Sequence, residues 1–239
     1  MHSDEKSRTR REFLRAASFG AGLSLSACAT GKLDRRRDGG GGGEGGEEVL
    51  PNEDLMREHG VLDRILLVYE EGLRRMEAKE DLAPEVLVGG ADIVRRFIEE
   101  YHEKLEEDHL FPRFEKAGKL VDLVATLRTQ HRAGRALTET VERMSSPEGV
   151  RDESSRRRLA ESLRLFVRLY RPHAAREDTE LFPAFRSVVS RSEYEALGEE
   201  FEGKEHELFG EDGFERIVEE VAGLERAFGI HDLARFTPA

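Results

Sequence analysis

The sequence YHEKLEEDHLFPRF, from Tyr101 to Phe114, has a close counterpart later in the chain, PHAAREDTELFPAF from Pro172 to Phe185. Both copies contain a His and a Glu four residues apart, then an acidic residue, and then Leu-Phe-Pro-x-Phe. In a helix, residues four apart lie on one face, one turn from each other. Two such helices facing each other would bring together two imidazoles and two carboxylates, a set of ligands that suits transition-metal ions.

Each copy follows a lone histidine at almost the same distance. His59 precedes His102 by 43 residues, and His131 precedes His173 by 42. Chance rarely spaces four histidines so evenly in a chain that has only eight. The pattern therefore predicts a helix with one histidine, a helix with His-x-x-x-Glu, and then the same two helices again.

The chain beyond Val49 is predicted to be all-α. Apolar residues recur there at spacings of three and four, with no sustained period of two. Four long helices with short connections favour an up-down-up-down four-helix bundle. The predicted helices cover residues 52–79 (with Asn52 as N-cap), 84–116 or 91–116, 120–144 and 152–189, with a turn at 145–149. A further helical region at 192–228, broken near Gly210 and Gly213, is expected to pack on the bundle.

Three prolines fall inside the predicted helices. Pro112 and Pro183 lack an N–H group and should bend the second and fourth helices or interrupt their regular hydrogen bonding. Pro172 should also disturb the fourth helix, and the alternative is that this helix is two helices.

The chain divides into four predicted parts: residues 1–28, 29–50, 51–190 and 191–239. The first part contains a twin-arginine export signal, TRREFLR, and an apolar stretch too short to span a bilayer. The stretch ends in LSAC, which resembles a lipobox with Cys28 as the acylated residue. We therefore expect export by the twin-arginine route and lipid anchoring at the cell envelope. The alternative is a free cysteine behind a cytosolic amphipathic leader.

Composition limits the remaining choices. The Gly-rich segment 29–50 predicts a flexible tether, and its Arg35–Arg37 run could also touch anionic headgroups. A single cysteine excludes a disulfide within the chain, so stability must come from the core and from bound metal. A net charge of −12 argues against nucleic-acid binding.

In a four-helix bundle the repeated residues would converge at one level of the core. A single buried histidine is more often a satisfied polar residue, but six inward groups without metal would be costly to bury. We expect two iron, manganese or zinc ions, each held by two histidines, with both glutamates bridging. The candidate ligands are His59, His102, Glu106, His131, His173 and Glu177.

This pattern, H…HxxxE…H…HxxxE with Leu-Phe-Pro after each HxxxE, resembles the hemerythrin-like (HHE cation-binding) domains over about residues 52–190. The resemblance implies a non-heme di-iron centre with those six ligands. The ferritin-like class uses Glu-x-x-His instead and does not fit. Oxygen-carrying hemerythrins have a second histidine in the third helix, where this chain has Arg135, and this departure weakens the case for reversible oxygen carriage. Further candidate ligands are Glu103, Glu107, His109 and, from the fifth helical region, His206.

We interpret the chain as binding or sensing dioxygen or a related small oxidant, such as peroxide or nitric oxide. One alternative is a di-iron enzyme with peroxidase-like, catalase-like or nitric-oxide-reducing activity. The other is a metal storage or delivery protein, which would hold more than two metals.

Overall fold

The computed structural model describes residues 50–238, and all regular structure in that range is helical. The helices are α1 (Pro51–Ala78), α2 (residues 84–117), α3 (Val121–Met144), α4 (Pro147–Arg151), α5 (residues 153–185), α6 (Arg191–Phe209) and α7 (Gly213–Phe228), followed by a 3₁₀ turn at Leu233–Phe236. The predicted export signal, lipobox and tether lie outside the described residues. Within residues 50–238 no helix is both long enough and apolar enough to cross a bilayer.

Helices α1, α2, α3 and α5 form the predicted four-helix bundle, with α3 and α1 each packed along α5. The apolar positions of α1 recur at helical spacing, and Leu55, Leu62, Leu66 and Tyr69 are at most 1% exposed. Burying this stripe against the neighbouring helices supplies the main stabilising free energy of the bundle. The all-α prediction is confirmed.

Several predicted helix ends were wrong. Helix α1 begins at Pro51, because proline favours the first helical position, and Asn52 is therefore not the N-cap but accepts a hydrogen bond from Tyr194. The predicted turn at 145–149 contains the short helix α4, whose N-terminus is capped by Ser146. Of the two predicted starts of the second helix, Pro84 is the correct one and Ala91 is not.

Pro112 and Pro183 of the repeated sequence each lie just after a π-helical turn. Helix α2 runs through Pro84–Ile93, a π segment Val94–His102, Glu103–Leu105, a π segment Glu106–Leu110 and Phe111–Ala117. Helix α5 runs through Glu153–Arg176, a π segment Glu177–Leu181 and Phe182–Phe185. The irregular hydrogen bonding expected near Pro112 and Pro183 is thus present, and each shorter π turn begins at the glutamate of the motif. Pro172 does not divide the fourth helix, because Glu153–Arg176 is continuous across it.

Helices α6 and α7 pack on the α1–α2 side of the bundle. Ile217 and Val221 of α7 are buried, and Arg64 of α1 donates hydrogen bonds of 2.8 and 2.6 Å to Glu225. Phe209, the last residue of α6, lies edge-on to Tyr101 with the ring centroids 5.5 Å apart. The C-terminal helices therefore cover the helix that carries the first His-x-x-x-Glu pair.

Candidate metal centre

The structure brings the six predicted ligands together from four helices. His59 comes from α1, His102 and Glu106 from α2, His131 from α3, and His173 and Glu177 from α5. Each of the six residues is between 0 and 3% exposed. Glu106, His131, His173 and Glu177 each offer one ligand atom within 4.8 Å of the others.

Three of the four imidazoles have their Nε2 atoms beside one of the two carboxylates, and His102 has its Nε2 atom beside that of His59. Glu177 Oε2 lies 3.0 Å from His173 Nε2 and 3.4 Å from His59 Nε2, so Glu177 contacts a histidine of each half of the repeat. Glu106 Oε2 lies 3.3 Å from His131 Nε2, and His102 Nε2 lies 3.0 Å from His59 Nε2. All of these atoms are potential metal ligands at one level of the core.

The central carboxylates fit a cation. Both oxygens of Glu106 and of Glu177 are buried and have no hydrogen bond of normal geometry within residues 50–238. Unpaired buried carboxylates are costly, and a shared cation would compensate them. Imidazole and carboxylate ligands together suit iron, manganese or zinc.

Each of the four imidazoles makes a hydrogen bond through Nδ1, the nitrogen that faces away from the cluster. The Nδ1 atoms of His59 and His102 lie 2.7 Å from Asp178 Oδ1 and 2.8 Å from Glu58 Oε2. The Nδ1 atoms of His131 and His173 lie 3.0 Å from Glu107 Oε1 and 3.0 Å from Gln130 Oε1. Because all four partners are acceptors, each Nδ1 donates, which leaves Nε2 free to bind metal. Outer partners of this kind orient histidine ligands in metal sites.

These outer partners follow the repeat. Asp178 and Glu107 directly follow the motif glutamates Glu177 and Glu106, whereas Glu58 and Gln130 directly precede the lone histidines. In each case the outer partner comes from a different helix than the histidine that it holds.

The Leu-Phe-Pro part of the motif packs on the imidazoles. Phe182 stacks on His59 with the ring centroids 5.4 Å apart, and Phe111 stacks on His131 at 5.5 Å. Both phenylalanines are fully buried, so they exclude water from the imidazole faces. The motif thus supplies a ligand carboxylate, an outer acceptor and an apolar wall within one and a half turns of helix.

Arg135 lies beside the site and binds two carboxylates. Its Nη2 atom lies 2.8 Å from Glu107 Oε1 and 2.8 Å from Glu103 Oε2. Glu103 Oε1 accepts a hydrogen bond of 2.8 Å from the hydroxyl of Tyr170. Glu103, Glu107 and His131 could group around a cation, but Arg135 already supplies the positive charge there.

The other candidate ligands lie elsewhere. His109 Nε2 is 2.8 Å from Lys204 Nζ of α6, and its ring packs edge-on against Phe201. His206 is exposed on α6. Neither histidine joins the cluster of Nε2 atoms. Glu103 and Glu107 are within reach of the Nδ1 side of His131 and not of its Nε2 side.

The pKa shifts of the candidate ligands differ in direction: burial and the charge of His59 lower the pKa of His102, whereas carboxylates raise the pKa of two other histidines. Burial alone would lower the pKa of His59, but its hydrogen bond to Asp178 and the nearby Glu177 carboxylate raise it to about 10. Burial opposes the same rise at His131, where Glu106 and Glu107 raise the pKa to about 10. Burial and the charge of Glu177 raise the pKa of Glu106. The carboxylates therefore favour positive charge at His59 and His131.

A cleft open to solvent lies beside the site. The cleft has a volume of about 390 Å³ and is lined by Asp63, Leu67, Arg171, Ala174, Ala175 and Asp178. Asp178 is the hydrogen-bond partner of His59, and Ala174 directly follows His173. The cleft therefore reaches the outer partner of one candidate ligand and the chain neighbour of another.

Comparison with known proteins agrees with this geometry. The family model described as "Hemerythrin HHE cation binding domain" matches residues 50–185 and also 122–233. The first match includes all six candidate ligands, whereas the second includes only His131, His173 and Glu177. Proteins of Mycobacterium bovis and Mycobacterium tuberculosis, both described as uncharacterized, are 45% identical over 233 residues, covering 96% of this chain and 91% of theirs. No solved structure gives a significant match.

The chain belongs to the hemerythrin HHE cation-binding domain family. It is an all-helical protein with a buried cluster of histidines and glutamates that could hold a metal cation.

Sequence reasoning named Glu107 as a residue at or behind the ligands, but it did not identify Asp178, Glu58 or Gln130 as outer partners of the imidazoles. Asp178 carried a signal, because an acidic residue follows the glutamate in both copies of the motif. Glu58 and Gln130 carried a weaker one, since each stands directly before a lone histidine but the two residue types differ.

Proposed function

We propose that this protein binds two non-heme iron ions and uses them to bind or sense dioxygen or a related small oxidant. The observation that carries the proposal is the arrangement of the four imidazoles. Every Nδ1 atom is held by an acceptor. The Nε2 atoms of His59, His131 and His173 lie beside two buried carboxylates that have no hydrogen bond of normal geometry within residues 50–238, and His102 Nε2 lies beside His59 Nε2.

The chain's residues would divide between two ions. His59 and His102 would hold one ion, and His131 and His173 the other. Glu177 contacts a histidine of each half, which suits a carboxylate that would be shared by both ions, and Glu106, beside His131, would be the second shared carboxylate. When bound, iron supplies reversible redox chemistry and a coordination position for a small ligand.

The surrounding residues orient the ligands and keep water out. Phe111 and Phe182 cover imidazole faces. Tyr170 and Arg135 hold the side chain of Glu103, the residue that directly follows the ligand His102 in the sequence. A rigid, dry surrounding strengthens electrostatic interactions at the centre. Asp178 and Ala174 line the cleft between α1 and α5, and this proximity supports the cleft as the route by which a small molecule would approach.

A di-iron enzyme that acts on peroxide or nitric oxide is the second candidate. The observation that favours it is Arg135, which stands where an oxygen carrier would have another histidine ligand. Arginine has no imidazole, so an ion at His131 and His173 would lack a third histidine ligand, and Arg135 instead pairs with Glu103 and Glu107.

Metal analysis and oxygen titration test the proposal. Purified protein should contain two iron ions per chain after anaerobic reconstitution, and air should produce an absorption band that reverses under vacuum. Rapid and repeated consumption of peroxide would favour the enzyme instead. Fewer than two ions per chain would contradict both, and many more would indicate storage.

We also propose that the protein is exported by the twin-arginine route and anchored in the membrane through Cys28. The support is the order of arginine pair, apolar stretch and LSAC in residues 1–28. Fractionation of cells expressing the wild-type gene and a Cys28→Ala variant would test this. Wild-type protein in the soluble periplasmic fraction would contradict the anchor.

A further inference from the structure

The two halves of the centre have the same ligands but different residues behind them. Glu58 and Gln130 occupy corresponding places, because each directly precedes the lone histidine of its half. Glu58 Oε2 accepts a hydrogen bond of 2.8 Å from His102 Nδ1, whereas Gln130 Oε1 accepts one of 3.0 Å from His173 Nδ1. One half therefore has a carboxylate where the other has a neutral amide. Gln130 is the only glutamine in the sequence.

Glu58 is fixed in a closed environment. It is fully buried, and its Oε1 atom accepts a hydrogen bond of 3.2 Å from the hydroxyl of Tyr101. The ring of Tyr101 is in turn covered by Phe209 from the C-terminal helices. Gln130 is only partly buried. Low dielectric strengthens the influence of the Glu58 charge on His102.

The other two outer partners, Asp178 and Glu107, also differ in strength between the two halves. His59 donates to Asp178 at 2.7 Å. His131 donates to Glu107 Oε1 at 3.0 Å, but Arg135 donates to that same oxygen at 2.8 Å. Because the Arg135 guanidinium also binds this oxygen, Glu107 is a weaker hydrogen-bond acceptor for His131 and makes its imidazole less basic. Both histidines of the α3–α5 half are thus less strongly supported than those of the α1–α2 half.

We propose that the two cation positions are unequal: the position at His59 and His102 binds tightly, and the position at His131 and His173 binds more weakly and exchanges its ion. The inference rests on the proposed two-ion centre. A carboxylate acceptor makes a histidine ligand more basic, and loss of such a partner typically costs about 10- to 100-fold in metal affinity. Glu58 and Gln130 are the residues that set the difference.

Stepwise titration with Co²⁺ under anaerobic conditions, in competition with a chelator, measures both affinities in the full chain. In wild-type protein the two dissociation constants should differ by about 10-fold or more. His102→Ala should abolish the tight step and His173→Ala the weak one, which assigns each step to its half.

Exchanging the outer partners provides the decisive comparison. Gln130→Glu should tighten the weak step by about 10-fold and leave the tight step unchanged, whereas Glu58→Gln should weaken the tight step. Thr129→Glu is the matched control, because it adds the same charge one residue away at an exposed position and should change neither step. Gln130→Glu keeps the test valid if the buried Glu58→Gln variant fails to fold.

Two outcomes separate this inference from the proposed function. If wild-type protein binds two ions with equal affinity, or if Gln130→Glu leaves the weak step unchanged, the inequality is wrong while the two-ion centre stands. If wild-type protein binds fewer than two ions, the proposed function itself is wrong.

Discussion

Tyr170 of α5 lies directly against the backbone of Gly134 in α3, so that a Cβ atom at residue 134 would overlap the Tyr170 hydroxyl and ring. This close approach lets the hydroxyl donate a hydrogen bond of 2.8 Å to the buried Glu103. Glu103 also pairs with Arg135. The absence of a side chain at residue 134 therefore permits a polar network next to the metal centre.

Gly134→Ala should destabilise the protein by about 1–3 kcal/mol, because the added methyl group displaces Tyr170 from Glu103. Gly60→Ala is the control, since nothing lies within 4 Å of a Cβ built there. Alanine is the better helix former, so Gly60→Ala should raise the free energy of unfolding by about 0.5–1 kcal/mol. Urea unfolding of the metal-free proteins measures both effects, and equal changes in the two variants would contradict the packing argument.

Histidine-to-alanine substitutions distinguish the candidate metal ligands from the histidines that lie outside the cluster. His102→Ala and His173→Ala should each lower the metal content below two per chain, because each removes an Nε2 atom from the cluster. His109→Ala and His206→Ala should retain two, since His109 contacts Lys204 and His206 is exposed. Elemental analysis of the purified variants decides the assignment. Unchanged stoichiometry in either of the first two variants would refute it.

Removing the Arg135 side chain should destabilise the folded protein, because Arg135 neutralises the buried carboxylate of Glu103. Glu103 is 1% exposed and would lose its cation, whereas Arg135 is itself about one-third exposed. We therefore expect Arg135→Ala to lower the free energy of unfolding by about 1–3 kcal/mol, less than for a fully buried pair. Arg132→Ala, on the exposed face of the same helix, should have little effect. Thermal or urea unfolding of both variants provides the comparison.

Glu99 should make stability depend on pH. Burial raises the pKa of Glu99 to about 7, so the folded protein holds this proton more tightly than the unfolded chain does. The folded state binds more protons between the two pKa values, so stability should fall as pH rises from about 4.5 to about 7.

A Glu99→Gln variant, which stays neutral, isolates that contribution. It should be more stable than wild type by about 1–3 kcal/mol at pH 8 and similar to it at pH 4.5. Unfolding curves at the two pH values are the measurement. A stability difference independent of pH would rule out the titration of Glu99 as the cause.

Narrowing the cleft beside Asp178 should slow access to the centre. Ala174 is 4% exposed and lines this cleft, so we expect Ala174→Leu to slow Co²⁺ uptake while the final stoichiometry stays at two. Ala160→Leu is the matched control, because Ala160 is a similarly buried alanine on the same helix and lines a different groove. Stopped-flow absorbance gives the rates. Equal slowing by both variants would indicate a general effect on folding rather than a blocked route.

The repeated spacing was enough to predict the bundle and the six residues that converge in it. A helix has a fixed period, so a His and a Glu four residues apart must share a face wherever the helix packs. The evenly spaced lone histidines then placed two more imidazoles at the same level. The π turns at Glu106 and Glu177 were only partly foreseen, as irregular hydrogen bonding near Pro112 and Pro183.

The amino-acid sequence by itself determined that the protein is helical and that four histidines and two glutamates face one core, because periodicity and spacing are properties of the chain alone. Tertiary structure alone decided which side chain stands behind each imidazole. Glu58 reaches His102 and Gln130 reaches His173 across helix interfaces. Such contacts depend on the rotation and relative height of neighbouring helices, which are set by the packing of all the side chains between them.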